Sequence, residues 1–266
     1  MTMNNTFELN RFWRYFKYDL RSAKNNYMLS LAVAALLPFM TFAVYEIFSK
    51  ILSGAWAGPS DSLKHFVVFV AFATKILFFP SKAYGHLTEK NAGSNWLMIP
   101  ASSFEKWLSL LIVTLVVLPL CLFAGLYVVE GICSLVFPGY GSVAVTDLVD
   151  INLDDELGLI PELHSILFTF LLWVENMLVF TLGAICFKRS KIAKTILCCM
   201  LFTLIAGLVV GLTVGNIDFA ELQDLLGEAG FEEFERRMIW ICRLLYWGFT
   251  AALLGAVYAR IKTLKH

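Results

Sequence analysis

Residues 195–215 read TILCCMLFTLIAGLVVGLTVG, a run that contains no charged side chain and no proline. A helix needs about 20 such residues to cross the roughly 30 Å hydrocarbon layer of a bilayer. The chain contains five further apolar stretches, and we place the six spans at 27–48, 65–83, 107–137, 163–187, 195–215 and 238–259. Transmembrane β-strands are shorter and alternate apolar with polar side chains, so these runs predict helices. The third stretch exceeds one straight span, and we expect Pro119 to kink it.

The composition agrees with a chain that lies largely in lipid. Hydrophobic residues make up 59% of the 266 residues, charged residues make up 16%, and the mean hydropathy is +0.72. Soluble domains average about 45–50% apolar and about 25% charged residues. A disordered chain would need low hydrophobicity, and a nucleic-acid-binding chain would need a basic excess, whereas the net charge here is zero. We therefore predict an all-α integral membrane protein with six transmembrane helices and no nucleic-acid partner.

The zero net charge hides an uneven distribution. Lysine and arginine concentrate before span one, between spans two and three, between spans four and five, and after span six. The loops 138–162 and 216–237 are instead rich in aspartate and glutamate. Because cytoplasmic loops carry the excess of Lys and Arg, we predict that both termini are cytoplasmic, as an even number of spans requires. The acidic outer loops lack the spacing of a calcium loop, and we interpret them as solvated side chains rather than metal ligands.

An amphipathic pattern precedes the first span. One face of a helix over residues 7–24 would carry Leu9, Phe12, Trp13, Phe16 and Leu20. A separate face would carry Arg11, Arg14, Lys17, Arg21 and Lys24. This pattern is typical of a helix that lies in the headgroup layer. We predict a cytoplasmic elbow helix in residues 1–26, followed by a transmembrane domain over 27–266, with the basic face toward membrane lipids or a cytoplasmic partner.

A second amphipathic segment lies between spans five and six. Residues 216–237 carry apolar side chains at helical spacing, interrupted by Gly227 and Gly230. Glycine costs a helix interior about 1 kcal/mol relative to alanine. We therefore predict two short outer helices, broken at the glycines, that rest on the outer surface.

Among the charged residues of the spans we single out three as lying at membrane depth: Lys75, Glu175 and Arg243. An unpaired charge in hydrocarbon costs about 2.5–3.5 kcal/mol on insertion scales, so such residues mark candidate sites. One hypothesis is that Lys75 and Glu175 pair with each other, as a structural ion pair, or that they line a polar cavity. Arg243 is about one turn into span six and can reach the outer interface.

The sequence lacks the motifs of an enzyme. It has no G-x-x-x-x-G-K-[ST], no H-E-x-x-H and no G-x-S-x-G, and its four histidines are scattered. The six cysteines lie in apolar spans without a C-x-x-C pair, which is typical of small buried side chains. We therefore expect no catalytic residue, no metal site and no nucleotide bound by this chain.

The loop 84–106, between spans two and three, is the most informative polar stretch. Its key residues are Glu89, Gly93, Ser94, Pro100, Ala101, Ser102 and Glu105. Ser102 or Ser103 can cap a helix that continues through Glu105 and Lys106 into span three. The loop would thus present a short, rigid helical element to the cytosol.

In these residues the loop resembles the coupling loop of ABC-type export permeases with separate ATPase subunits, the type-two export class with the type V fold. That family joins its second and third spans by Glu-x-x-x-Gly-[Thr/Ser]-x-x-x-Leu-x-x-Pro-[Val/Ala]-Ser-x-x-Glu. The elbow helix, the six spans, the inward termini and the outer helices fit the same family. This chain departs from it at Ser103 and Ser109, where such permeases usually carry basic residues.

The resemblance implies that the loop docks on a cytosolic ABC ATPase subunit, which binds the ATP. The coupling residues would be Glu89, Gly93, Pro100, Ser102, Glu105 and Lys106. It also implies a homodimer, or a dimer with a related permease, in the bacterial cytoplasmic (inner) membrane. The spans contain few polar residues, which favours an amphipathic or lipid-like substrate.

Two alternatives remain open. The chain could be a secondary transporter or channel that uses Lys75, Glu175 and Arg243. It could also be a non-transporting membrane scaffold or sensor subunit that docks a partner. A co-purified ATPase whose hydrolysis falls when Glu105 and Lys106 are reversed would support the exporter.

Overall fold

The computed structural model describes residues 7–54, 58–89, 93, 96, 98–137, 139–141, 143–145, 165–214 and 219–264. Within these ranges every regular element is helical and no strand occurs. The α-helices are α1 (Leu9–Ala35), α2 (Leu37–Ser53), α3 (Asp61–Ala83), α4 (Ser103–Leu111), α5 (Leu118–Val136), α6 (Ser165–Cys186), α7 (Lys191–Val214) and α8 (Phe219–Thr263). A 3₁₀ turn (Gly85–Thr88) follows α3, and a π-helical segment (Ile112–Val117) joins α4 to α5. The all-α prediction is confirmed for this part of the chain.

Five helices in the described part of the chain are long and apolar enough to cross a membrane. They are Leu9–Ser53, Asp61–Ala83, Ser103–Val136, Lys191–Leu212 and Arg236–Thr263. By length and composition, the chain is therefore a multi-pass membrane protein. The described apolar part of α6, Phe170–Cys186, is shorter. The sixth span and the side of the membrane that each loop faces stay predictions.

The elbow helix is not separate from the first span. The prediction that it lies within residues 1–26 is wrong at its end, because α1 continues without interruption to Ala35. Residues 9–35 contain neither glycine nor proline, so nothing in this segment favours a break. The interruption falls at Leu36, just before Pro38, which has no N–H to donate to the preceding turn. The two helices thus form one long rod with a single joint.

Pro119 changes the third span in a specific way. The segment Ile112–Val117, directly before it, is π-helical rather than α-helical. A proline removes one hydrogen bond to the preceding turn, and a wider turn accommodates the loss. The Thr114 carbonyl in this segment accepts the indole N–H of Trp173 at 3.4 Å. The structure therefore has a π segment before Pro119, with one carbonyl bonded from α6, and the kink itself stays a prediction.

The segment before span six, predicted to lie outside, also differs from expectation. The prediction of two short helices over 216–237 is wrong, because α8 is one continuous helix of 45 residues that passes through Gly227 and Gly230. The glycines lie among alanine, leucine, glutamate and arginine residues, whose helix propensities offset their cost. The part of α8 before Arg236 adds about 25 Å of helix at 1.5 Å per residue. Most of the other outer loop, 138–162, lies outside the described residues.

Burial is unevenly distributed among the helices. The largest apolar cluster joins α3, α4, α6, α8 and the loop after α3, and includes Leu87, Leu110, Met177 and Val257. A second cluster around Leu122 and Leu126 joins α1, α3 and α5. By contrast, α7 and much of α8 leave their apolar side chains exposed. In a bilayer such surfaces face lipid or another transmembrane chain.

The contact between α6 and α7 depends on the absence of a side chain at Gly183. A Cβ atom there would overlap the Thr195 hydroxyl and lie 2.8 and 2.9 Å from the Thr195 Cγ2 and Cβ atoms. Small residues allow this close approach of transmembrane helices. Gly183 is therefore a packing position.

We predict that Gly183→Ala lowers the free energy of unfolding by about 1–3 kcal/mol, because α7 must move away from α6. The loss should appear as a lower thermal unfolding midpoint of the protein in detergent. Gly207→Ala is the matched control, since a Cβ atom there meets nothing within 4 Å. The control should leave stability unchanged or raise it slightly. Equal stability of both variants would contradict the packing role.

Candidate functional site

The loop between α3 and α4 folds back on the helix bundle. The 3₁₀ turn places Leu87 fully inside, and Gly93 and Trp96 are also buried. The Gly93 N–H donates to the Glu89 carbonyl at 2.9 Å, which closes a turn in the predicted coupling segment. Ser94, from the same motif, lies outside the described residues. The described loop residues are therefore part of the fold rather than a free appendage.

The helix after the loop begins with a capping box. The Ser102 hydroxyl accepts the Glu105 N–H at 3.2 Å, and the Glu105 carboxylate accepts the Ser102 N–H at 2.8 Å. The two residues satisfy each other's orphan backbone donors. Of the two serines considered from the sequence, Ser102 is the cap.

Glu105 also binds the start of α1. Its carboxylate is fully buried and accepts the Glu8 N–H at 3.0 Å. It accepts two further donors of Arg11, Nε at 2.8 Å and Nη2 at 2.7 Å. This two-pronged contact, the Arg11–Glu105 clamp, joins residues that are 94 positions apart. Charge-assisted bidentate pairs of this kind are among the strongest polar contacts in proteins.

The clamp corrects the expected role of Arg11. The sequence placed Arg11 on a basic face toward lipid or a partner, with Arg14, Lys17 and Arg21. Arg11 instead turns inward to Glu105, while the other three remain exposed. Arg14, Lys17 and Arg21 are therefore accessible for the predicted contact with lipid headgroups or a partner.

A second link lies beside the clamp. The buried Lys106 ammonium donates to the Trp96 carbonyl at 2.9 Å and lies 4.5 Å from the centroid of the Trp96 ring. The Trp96 indole N–H donates to the Tyr15 hydroxyl of α1 at 3.0 Å. These contacts link α4 to the loop through Lys106 and Trp96, and the loop to α1 through Trp96 and Tyr15.

The structure therefore divides the predicted coupling residues into two groups. Ser102, Glu105 and Lys106 are internal, and they position the loop instead of facing outward. Glu89 and Pro100 are exposed, as is Met98, whose side chain is 75% exposed. A partner could reach only the second group in this arrangement. The carboxylate of Glu89 also lies 3.8 Å from the Lys191 ammonium at the start of α7.

Sequence reasoning missed Asp19. Its Oδ2 atom accepts the Ser109 hydroxyl at 2.7 Å and the Tyr84 hydroxyl at 3.3 Å. Asp19 thus holds α1 against α4 and the end of α3. Ser109, noted from the sequence only as a departure from the permease pattern, is one of its donors. The available signal was an acidic residue within the strongly basic segment 7–24.

The hypothesis that Lys75 and Glu175 pair is wrong. The Lys75 ammonium donates to the Ser30 carbonyl and, at 2.7 Å, to the Ser30 hydroxyl on α1. Glu175 accepts the Thr250 hydroxyl of α8 at 3.2 Å. The two side chains point from α3 and α6 toward different neighbours, a direction that span assignment alone does not define.

Besides Arg243, two further charged residues, Glu130 and Lys64, are buried among the helices. Arg243 is half-buried and lies 5.7 Å from the Trp240 ring centroid. Glu130, in α5, is fully buried and accepts the Val145 N–H at 3.0 Å. Lys64 is buried between the Asp61 carboxylate, at 2.6 Å, and the Tyr140 carbonyl, at 3.0 Å. Glu130 was detectable as a lone acid in the over-long third apolar stretch.

No group of three or more His, Cys, Asp or Glu side chains in the described ranges could hold a metal ion. No protein-family model matches the chain, and no curated protein or solved structure was found to match it. The interpretation of the site therefore depends on the residues of this chain.

We predict that Arg11→Ala destabilises the protein clearly more than the control below, because it leaves the Glu105 carboxylate buried without its charged partner. Arg11→Lys should recover only part of the loss, since an ammonium cannot reproduce the bidentate contact. The control is Arg14→Ala, which removes an exposed arginine from the same helix and should change stability by about 0.5 kcal/mol or less. Chemical unfolding in mixed micelles measures all three, and equal losses for the two alanine variants would refute the clamp.

We predict that Lys75→Met and Glu175→Gln have additive effects on stability. Residues without a shared partner usually show coupling of about 0.3–0.5 kcal/mol or less in a double-mutant cycle. The comparison cycle is Lys75→Met with Ser30→Ala, whose wild-type side chains are hydrogen-bonded and should couple more strongly. Coupling of Lys75 to Glu175 above about 1 kcal/mol would restore the ion-pair hypothesis.

Proposed function

We propose that this chain is the membrane-spanning subunit of an ABC-type exporter and that the loop between α3 and α4 receives the motion of a cytosolic ATPase. The chain would act as a homodimer or beside a related permease. ATP would bind and be hydrolysed on the partner subunit.

The observation that supports this proposal is the Arg11–Glu105 clamp. A docking element transmits motion only if it is attached rigidly to the helices that must move. The clamp and the Lys106–Trp96–Tyr15 link attach the loop to α1 and α4 by buried polar contacts. Both helices continue into long apolar segments. A push on the loop would therefore act on the first and third spans together.

The exposed part of the loop is suited to docking. Met98 is 75% exposed and the Glu89 side chain is 64% exposed, so that an apolar contact and a charged contact are both available. Interfaces typically combine a few apolar anchors with a polar rim. The exposed basic residues of α1, the helix that the clamp joins to the start of α4, provide a further charged surface.

The helices contain points at which the motion could be absorbed. Leu36 separates α1 from α2, and the π segment Ile112–Val117 separates α4 from α5. Helices bend at prolines and π segments because the regular hydrogen-bond ladder is interrupted there. In alternating access, the helix pairs α1–α2 and α4–α5 would bend at these points and open a path next to α7 and α8. The exposed apolar faces of these helices favour an amphipathic or lipid-like substrate.

The secondary-transporter alternative has weaker support. Lys75 and Glu175 each bind a serine or threonine of an adjacent helix instead of forming a coupled pair. The scaffold alternative shares the docking loop with the exporter, so only a functional experiment separates these two.

We predict that the chain, isolated from its native membrane in mild detergent, co-purifies with an ATPase subunit. The rate of ATP hydrolysis by that subunit should depend on the loop. Glu89→Lys combined with Met98→Glu should abolish binding or stimulation of the ATPase by reversing the exposed contacts. Because both side chains are exposed, the thermal stability of the variant should stay near that of the wild type. Reversal of the buried Glu105 and Lys106 would be ambiguous, since it would also break the fold.

The matched control is Glu233→Lys, which reverses an exposed charge on α8, far along the chain from the loop. This control should retain the ATPase and its stimulation. Transport of a fluorescent lipid by reconstituted vesicles then separates an exporter from a scaffold. Failure to recover an ATPase from native membranes would overturn the proposal.

A further inference from the structure

A cavity of about 330 Å³ lies between α1 and the loop that follows α3. Its size is at the lower end of the range typical of small-molecule pockets. Side chains of α1, the end of α3 and the loop form its walls, so an occupant would contact all three at once. The clamp residues Arg11 and Glu105 are not among its walls.

The walls are strongly aromatic. Five rings line the cavity: Tyr15, Tyr18, Tyr27, Tyr84 and Trp96. The faces of such rings carry negative electrostatic potential and attract organic cations. Trp96 already has one cation at its ring, the Lys106 ammonium 4.5 Å from its centroid. Lys106 itself does not line the cavity.

The charge of the described walls is negative. Asp19 is the acidic residue among them, and no lysine or arginine accompanies it. Both hydrogen bonds that Asp19 accepts from described residues end on Oδ2, which leaves Oδ1 available to a ligand. Burial lowers the pKa of His86, another wall residue, which disfavours the cationic form of its imidazole. An anion would therefore meet only a like charge in this cavity.

The walls are held in place before any ligand enters. The Tyr84 hydroxyl binds Asp19, the Tyr15 hydroxyl accepts the indole N–H of Trp96, and the Tyr27 hydroxyl donates to the Lys82 carbonyl at 2.9 Å. Preorganised walls reduce the entropy lost on binding. Tyr18 is different, because its side chain is 60% exposed and lies at the opening.

We propose that this cavity binds a small organic ammonium group, with Asp19 as its counter-ion and the tyrosine and tryptophan rings as its cation-binding walls. The ammonium group can belong to a free amine or to the headgroup of a membrane lipid, since both present the same cation. Bound there, it would hold α1, α3 and the loop together. The proposal does not depend on the exporter function, because it requires only the cavity and its charge.

The binding test uses the full chain, purified in a non-ionic detergent, and titrated calorimetrically with choline and with 3,3-dimethylbutanol, its uncharged analogue of nearly equal shape. Choline should bind and raise the thermal unfolding midpoint, whereas the alcohol should bind at least about tenfold more weakly. Equal binding of the two compounds would overturn the proposal.

Two variants test the walls. Asp19→Asn keeps an oxygen acceptor for Ser109 and Tyr84 but removes the charge, and should weaken choline binding by about tenfold or more. Tyr18→Leu removes an exposed ring and should weaken binding by about two- to fivefold. If Asp19→Asn does not fold, Tyr18→Leu alone decides.

The matched control is Glu8→Gln, which removes an exposed carboxylate outside the cavity and should leave choline binding unchanged. Unaltered choline binding in a folded Asp19→Asn or Tyr18→Leu variant would refute the assignment.

The source of the amine is distinguished by reconstitution into nanodiscs. If choline binding is lost in discs that contain phosphatidylethanolamine but present in discs of phosphatidylglycerol alone, the cavity is occupied by a lipid headgroup. Equal choline binding in both discs assigns it to a free amine. Absence of choline binding in both discs and in detergent would overturn the proposal.

Discussion

The fully buried Glu105 carboxylate determines how the start of α1, the loop after α3 and the start of α4 pack together. A carboxylate removed from water is stable only if charged or hydrogen-bonding partners replace its hydration. Glu105 receives Arg11, the Glu8 N–H and the Ser102 N–H. These donors come from the start of α1 and the start of α4. One side chain therefore caps one helix, orients another, and determines how the intervening loop lies against both.

The same principle operates at membrane depth with weaker partners. Lys75 donates to the Ser30 hydroxyl, Glu175 accepts the Thr250 hydroxyl, and Glu130 accepts the Val145 N–H. Such local contacts satisfy a polar group without a long-range ion pair. They also place these polar groups between packed helices, where they contribute to the choice of neighbours. By contrast, α7 carries no charged side chain after Lys194 and leaves most of its described apolar side chains exposed.

The packing divides the molecule into a well-packed end and a more open remainder. The loop after α3 lies in the largest apolar cluster, next to the clamp and the aromatic cavity. The far end of α8, by contrast, extends as helix beyond its apolar part. The polar contacts that connect distant parts of the sequence concentrate where the loop meets α1. A docking surface and a ligand cavity on the same loop would be mechanically connected, because the cavity walls Trp96 and Ile99 lie on either side of the exposed Met98 in the sequence.

The sequence by itself determined the helical class, the positions of the long apolar segments, a helix cap at Ser102 or Ser103 and a distortion near Pro119, because each depends on residues within a few turns. It could not determine the direction of a side chain around its helix. Arg11 turns inward only because a carboxylate 94 positions away lies there, and Lys75 binds Ser30 because α3 packs against α1 at that depth. The continuity of α1 past residue 26 and of α8 through two glycines likewise reflects helix propensity summed over a whole segment. The cavity around Asp19 exists only in the tertiary structure, since its walls come from three elements that local patterns do not bring together.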